Sequence, residues 1–165
     1  MNRNLPFEIV DVFAKEKYAG NQLAVFTEAA EINSEEMAAI ARETNFSETT
    51  FITSVDKKSG EADVRIFTPG GEIPFAGHPT LGTTYVVNKL FFDGNLEMVK
   101  LNLNIGQIPV QCATGILWMK QIQPIFNECV DKDVIASLLN IEEKDFIGNL
   151  PIESVSTGLP FYIAP

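Results

Sequence analysis

The chain has 165 residues, 45% of them hydrophobic, and its 12 basic against 22 acidic side chains give a formal charge of −10. That is enough apolar surface for a packed core and one domain or somewhat more, and with no cluster of Lys and Arg the charge excludes nucleic acid as an expected partner. No apolar run approaches the roughly 18 residues that cross a bilayer and the N-terminus has no apolar signal core, so a soluble cytoplasmic protein without a membrane partner is expected.

Residues 7–13 (FEIVDVF) carry aromatic and β-branched side chains on both faces, the pattern of a strand covered on both sides. Tyr18-Ala-Gly-Asn21 is a turn, because Gly and Asn tolerate positive φ, and residues 23–26 resume an extended run. The Gly20-Asn21 backbone either faces a ligand or simply connects. Asn33 is placed to cap a helix, with Glu36 three residues on and Ile32 and Met37 able to close a hydrophobic staple across the cap. The helix runs over 34–44, puts Met37, Ile40, Ala41 and Thr44 on one face, and stops at Asn45, a common left-handed terminator. It delivers Phe46-Ser47-Glu48 to a strand at 49–54. Glu48 at this junction fits a solvated position as well as a catalytic one.

Residues 56–60 form a hairpin loop and 62–67 its returning strand, with Val64 and Ile66 alternating against Asp63 and Arg65. The central stretch is RIFTPGGEIPFAGHPTLGTTYVVNKL, residues 65–90. After the loop at 68–71, Ile73-Pro-Phe75 is too short and too proline-bound for a central strand, and Ala76-Gly-His78 leads tightly into a helix beginning at Pro79, where proline's missing N–H is no loss. Leu81, Thr84, Tyr85, Val86, Val87, Leu90 and Phe91 leave that helix few polar positions. It should therefore be buried on most sides, with Gly82 and Thr83 admitting close strands. Its free N–H groups make an anion site suited to a carboxylate. Gly77 and Gly82 have phosphate-loop spacing, but Thr83 stands where a nucleotide-binding lysine is required, and no G-x-G-x-x-G follows a strand, so no cofactor is expected.

Past Asp93-Gly94, residues 96–103, 106–112 and 116–119 read as a meander able to wrap the helix. Around Gln123-Pro124 the pattern changes and a second unit begins, giving domains at 1–122 and 123–165. Asp131 caps a helix with Val134, Ile135, Leu138 and Leu139 on its apolar face, closed by Asn140, and strands follow at 152–156 and from Phe161. Cys112 and Cys129, with no C-x-x-C spacing and a single histidine in the chain, suggest neither a disulfide framework nor a metal site, and both read as small buried hydrophobes.

Tyr18-Ala-Gly-Asn21, Asn45-Phe-Ser-Glu-Thr-Thr-Phe51, Arg65-Ile-Phe-Thr-Pro69, the run from Glu72 to Gly82 and Val155-Ser-Thr-Gly-Leu-Pro160 together resemble the phenazine-biosynthesis PhzF-like isomerases. The resemblance implies an α+β, diaminopimelate-epimerase-like fold, in which two similar halves each wrap a mixed, mostly antiparallel sheet around one long helix and a small carboxylate-bearing substrate binds between them. It implies Glu48 as general acid/base moving a proton between carbons without metal or cofactor. His78 assists by hydrogen bonding, unless it only caps its helix or pairs with a backbone carbonyl. Asn21, Gly77, Pro79 and Thr80 are the implied substrate-binding positions. Related racemases of this fold place a cysteine where this chain has Ala76, which favours a carboxylate-mediated shift over thiol-based racemisation. Gln22 stands where the family commonly has proline. Family members are much longer, so the chain is expected to be an N-terminal half with the start of a second, lacking an acidic second-half motif and inactive alone. Its open strand edges would favour a homodimer; the competing expectation is a non-enzymatic small-acid-binding or self-associating module.

Overall fold

The computed structural model describes residues 4–165, which fall into two compact units divided between Lys120 and Gln121. The first unit contains β1 (Phe7–Val12), β2 (Asn21–Phe26), α1 (Ser34–Thr44), β3 (Glu48–Asp56), β4 (Glu61–Thr68), β5 (Gly71–Ile73), α2 (Gly77–Phe91), β6 (Met98–Leu103), β7 (Gly106–Ala113) and β8 (Ile116–Met119). Its strands form one sheet in the order β1-β2-β3-β4-β6-β7-β8, with β5 paired to β4. Only β2/β3 and β4/β6 are parallel, and they are the pairs whose connections carry α1 and α2, because a parallel return needs a crossover long enough to hold a helix. The result is the expected α+β architecture: α2 touches β1, β2, β3, β6 and β8, so the mixed sheet wraps it from one end of the strand order to the other.

Side-chain alternation sorts the central strands between the helices. Ala24 and Phe26 of β2, Phe51 of β3 and Phe67 of β4 join Met37 and Ala41 of α1 in one buried cluster. Phe7, Phe26 and Phe51 stack at successive centroid distances of 5.1 Å, and Phe67 meets Phe51 edge-on at 5.5 Å. The opposite parity faces α2. There Leu23 lies against Gly82, and Thr50 shares a buried hydroxyl–hydroxyl hydrogen bond of 2.8 Å with Thr83. The helix signals of α1 act as read: Asn33 accepts the Glu36 N–H at 2.9 Å, and Asn45 ends the helix at φ 52°.

Three expectations in this unit are corrected. β1 is covered on one side only, since Val10 and Val12 reach Gly82 while Phe7 and Ile9 are half exposed; α1 packs on β3, β4 and β5 and does not extend over the first strand. The central helix begins at Gly77, not Pro79, with Ala76 at its N-cap, so Pro79 is the third helical residue and still within the turn that needs no internal N–H bond. Tyr85 and Leu90 are exposed on α2, whose buried surface is otherwise nearly continuous through His78, Thr80, Gly82, Thr83, Thr84, Val86, Val87 and Asn88.

The second unit holds β9 (Ile125–Val130), α3 (Lys132–Leu139), a short 3-10 turn (Glu143–Asp145), β10 (Ile152–Ser156) and β11 (Pro160–Ile163), with its strands in the antiparallel order β11-β10-β9. Ala136, Phe146 and Ile152 form its small core. Here too the structure differs from expectation. Asp131 precedes α3 without a side-chain cap bond, Val134, Leu138 and Leu139 are exposed, and Cys129 lies open on β9. Cys112 is partly buried, as expected of a small hydrophobe at least in part.

The close approach at Gly82 gives a direct test. A Cβ there would stand 2.7 Å from Leu23 Cδ2 and 2.8 Å from Val12 Cγ2, distances that force atoms to move. Gly82→Val is expected to lower stability by at least about 2 kcal/mol through overpacking, and Gly82→Ala by less, because the gain in helix propensity of about 1 kcal/mol offsets part of the cost. Urea unfolding of the three proteins measures the order.

Candidate active site

Strand parity and helix register bring the site together. Asn21 opens β2 on the same face as Leu23, and Glu48 opens β3 on the same face as Thr50, so both point toward the side covered by α2. His78, in the first turn of α2, meets them there. Its Nε2 lies 3.5 Å from Glu48 Oε2, and its Nδ1 lies 3.2 Å from the Asn21 amide nitrogen. Ser47 Oγ donates to Asn21 Oδ1 at 3.2 Å, completing a chain Ser47–Asn21–His78–Glu48.

The ring is 8% exposed and the Glu48 side chain 17%. His78 Nε2 and Glu48 Oε2 are buried side-chain atoms with no hydrogen-bond partner. A separation of 3.5 Å is an ion-pair distance but too long for a good hydrogen bond, so each atom remains available to a third group. Burial pushes the Glu48 carboxyl above its ordinary 4.5. Burial also holds the His78 imidazole below its ordinary 6.5, against a smaller upward pull from the Gln22 backbone. Both shifts favour neutral forms, and the pair is better described as carboxyl beside imidazole than as a fixed salt bridge.

The helix start beside this pair is open. Ala76 offers no side-chain cap, and no acidic residue occupies the first turn. The Thr80 N–H and hydroxyl are both committed to the Ala76 carbonyl, at 3.3 and 2.7 Å, and Pro79 has no N–H, so the anion anchor read from residues 77–80 narrows to the amides of Gly77 and His78. A Cβ added at Gly77 would meet nothing within 4 Å, and its φ lies outside the left-handed region, so the fold itself does not demand glycine there. Asn21, read as a substrate-binding position, spends its amide on His78 and Ser47. Ser47 drew no role from the sequence, and only its place next to Glu48 hinted at one. Among the described residues no group of three or more His, Cys, Asp or Glu is gathered to hold a metal ion, and no helix is long and apolar enough to cross a membrane. An open cavity of about 470 Å³ bordered by Leu5, Thr27, Ile52, Val55 and Phe91 includes none of the site residues.

The buried carboxyl leaves a signature in stability. A folded-state pKa raised above 4.5 means that Glu48 favours the native state below that pH and that this contribution is lost as pH rises through the folded value. Glu48→Gln removes the titration, so the Tm of the variant minus that of the parent is expected to increase as pH rises from 4 and to level off once Glu48 is ionised in the folded protein. A difference that falls over this range would show that the carboxylate is stabilised where it stands.

Comparison with known proteins places the chain in a family. The family model described as phenazine biosynthesis-like protein matches residues 10–165. Over 159 residues the chain is 39% identical to trans-2,3-dihydro-3-hydroxyanthranilate isomerase of Pseudomonas chlororaphis, covering 92% of this chain and 54% of that protein. Among solved structures it is similar to a predicted epimerase from Pseudomonas aeruginosa, with a TM-score of 0.83, 29% identity, and coverage of 98% of this chain and 59% of the other. A hydroxyproline epimerase from Agrobacterium vitis, at a TM-score of 0.58 and 11% identity over 96% of this chain and 51% of its own, shares the fold alone. The chain spans about half or less of the length of the curated relatives it matches. With the fold, the motifs and the match over residues 10–165 in agreement, the chain belongs to the PhzC-PhzF family of phenazine biosynthesis-like proteins.

Proposed function

We propose that this chain carries the proton-transfer side of an isomerase site, with Glu48 moving a proton between two carbons of a small carboxylate-bearing substrate and no cofactor taking part. The observation that carries the reading is the pair of buried, unpartnered atoms, Glu48 Oε2 and His78 Nε2, facing each other at 3.5 Å beside an uncapped helix start. The name of the Pseudomonas chlororaphis relative supports a dihydroaromatic amino acid as the substrate class.

The steps balance without oxidant or reductant. Ionised Glu48 takes a proton as one C–H bond breaks, and the electron pair left behind moves through the adjoining double bond toward the substrate carboxylate. The amides of Gly77 and His78, with the helix dipole behind them, stabilise the charge gathered there. The same carboxyl then returns its proton to a different carbon, the double bond shifts, and Glu48 is again ionised. A raised pKa suits this cycle, since it makes the ionised carboxyl a stronger base for the first step while leaving the protonated form acidic enough to deliver its proton in the second. Ala76 supplies no thiol at the helix start, which favours this route over inversion between two sulfurs.

Incubating the protein in deuterated water with trans-2,3-dihydro-3-hydroxyanthranilate and following deuterium at substrate carbons by mass spectrometry tests the proposal. Glu48→Gln is expected to reduce incorporation by about 100-fold or more. Undiminished exchange in the variant would remove Glu48 from the chemistry. Thermal stabilisation by the acid without any exchange in the parent is the outcome expected both of an isomerase half lacking its opposing acidic residue and of a small-acid-binding module.

A further inference from the structure

The chain Ser47–Asn21–His78–Glu48 contains more information than contact. An amide nitrogen has hydrogens and no usable lone pair, so where Asn21 Nδ2 faces His78 Nδ1 at 3.2 Å the ring nitrogen must accept. A neutral imidazole that accepts at Nδ1 carries its single proton on Nε2. At the other end of the ring Nε2 faces Glu48 Oε2, and when that carboxyl is ionised, as the proton-transfer reading requires, a proton on the nitrogen turns two opposed lone pairs into an attractive arrangement. Burial disfavours the charged ring, so the tautomer of the neutral form bears directly on what the ring can donate or accept.

We propose that Asn21 is a positioning residue that fixes His78 as the Nε2–H tautomer, with Ser47 holding the amide in the required orientation. Ser47 donates to Asn21 Oδ1, which directs Nδ2 at the ring. The consequence, which rests on the proton-transfer reading of Glu48, is a division of labour: His78 presents a hydrogen-bond donor to the space it shares with Glu48 and cannot serve as a base, so Glu48 is the base. The substrate atom next to His78 is then an acceptor, such as a carboxylate, carbonyl or hydroxyl oxygen. The Gln22 backbone also pulls the ring toward protonation, a smaller effect than burial.

The chain contains a single histidine, so ¹⁵N-histidine labelling reports His78 without assignment. A long-range ¹H–¹⁵N correlation spectrum of the whole chain at pH 8 is expected to show a protonated, pyrrole-like Nε2 and an unprotonated, pyridine-like Nδ1. Asn21→Asp replaces the donor with an acceptor of the same shape and is expected to invert the pattern; Ser47→Ala is expected to give a mixture as the amide is released. A merely structural role for Asn21 would leave the tautomer unchanged in a folded Asn21→Asp variant, and that result, or an Nδ1–H ring in the parent, overturns the proposal. The parent spectrum decides even if a variant fails to fold. None of these readouts needs turnover, so loss of the isomerase reading through active Glu48→Gln and loss of the tautomer assignment are separate outcomes.

Discussion

The close seat of α2 on the sheet at Gly82 is the constraint from which the site follows. Gly82 touches Leu23, and Thr83 beside it bonds Thr50, so α2 is tied to β2 and β3 at neighbouring points. One step back along each element leads to the site. Four residues of helix rise about 6 Å and bring His78 onto the same face as Gly82. Two residues of strand span about 6.6 Å and return to the same face, from Leu23 to Asn21 and from Thr50 to Glu48. Equal steps from a shared anchor place imidazole, amide and carboxylate together, although the three residues are separated in sequence by 27 and 30 positions. Packing far from any ligand thus sets the geometry of the chemistry.

The polarity of this interface follows a consistent rule. A helix buried on most sides would be expected to be purely apolar, yet α2 buries Thr80, Thr83, Thr84 and Asn88. Each has a partner: Thr80 and Thr84 donate to helix carbonyls four residues back, Thr83 pairs with Thr50, and Asn88 exchanges two bonds with the Leu96 backbone where the chain leaves the helix. A buried polar group without a partner costs about 1–3 kcal/mol, so satisfaction is the norm and exceptions call for a reason. Among the described residues the exceptions are Glu48 Oε2 and His78 Nε2, the two atoms that face each other across the site.

Much of this was legible in the sequence where one local rule dominates. Asn33 and Asn45 bound α1 because capping depends only on adjacent residues, and the alternation of Val64 and Ile66 against Asp63 and Arg65 located β4. The burial of α2 was readable from its lack of polar positions. What failed depended on distant partners. The apolar residues of β1 look two-sided, but only the rest of the fold shows that α1 stops short of Phe7 and Ile9. β9 has no alternation in Ile125-Phe-Asn-Glu-Cys-Val130 and exists by pairing with β10. The start of α2 was misplaced because proline is favoured at the first helical position, whereas Pro79 is also tolerated at the third. Glu48 was reached through a motif resemblance, and the pairing of Asn21 with His78 could not be reached from the sequence at all.

The start of α2 also shows why a weaker helix terminus belongs here. A Ser, Thr, Asp or Asn at position 76 would bond the first amides and stabilise the helix by about 1 kcal/mol, but its oxygen would occupy the place where an anion can bind. Ala76 leaves those amides free. Gly77 leaves the adjacent space empty without any backbone need for glycine, since its φ is ordinary and a Cβ would touch nothing. Taken together with the unpartnered Glu48 and His78, three local concessions in stability fall within one turn of helix and the first residue of one strand. Scattered defects would be expected anywhere in a chain; concentrated at the point where Gly82 and Thr83 have already fixed the geometry, they fit the proposed site, in which a ligand would supply the missing interactions.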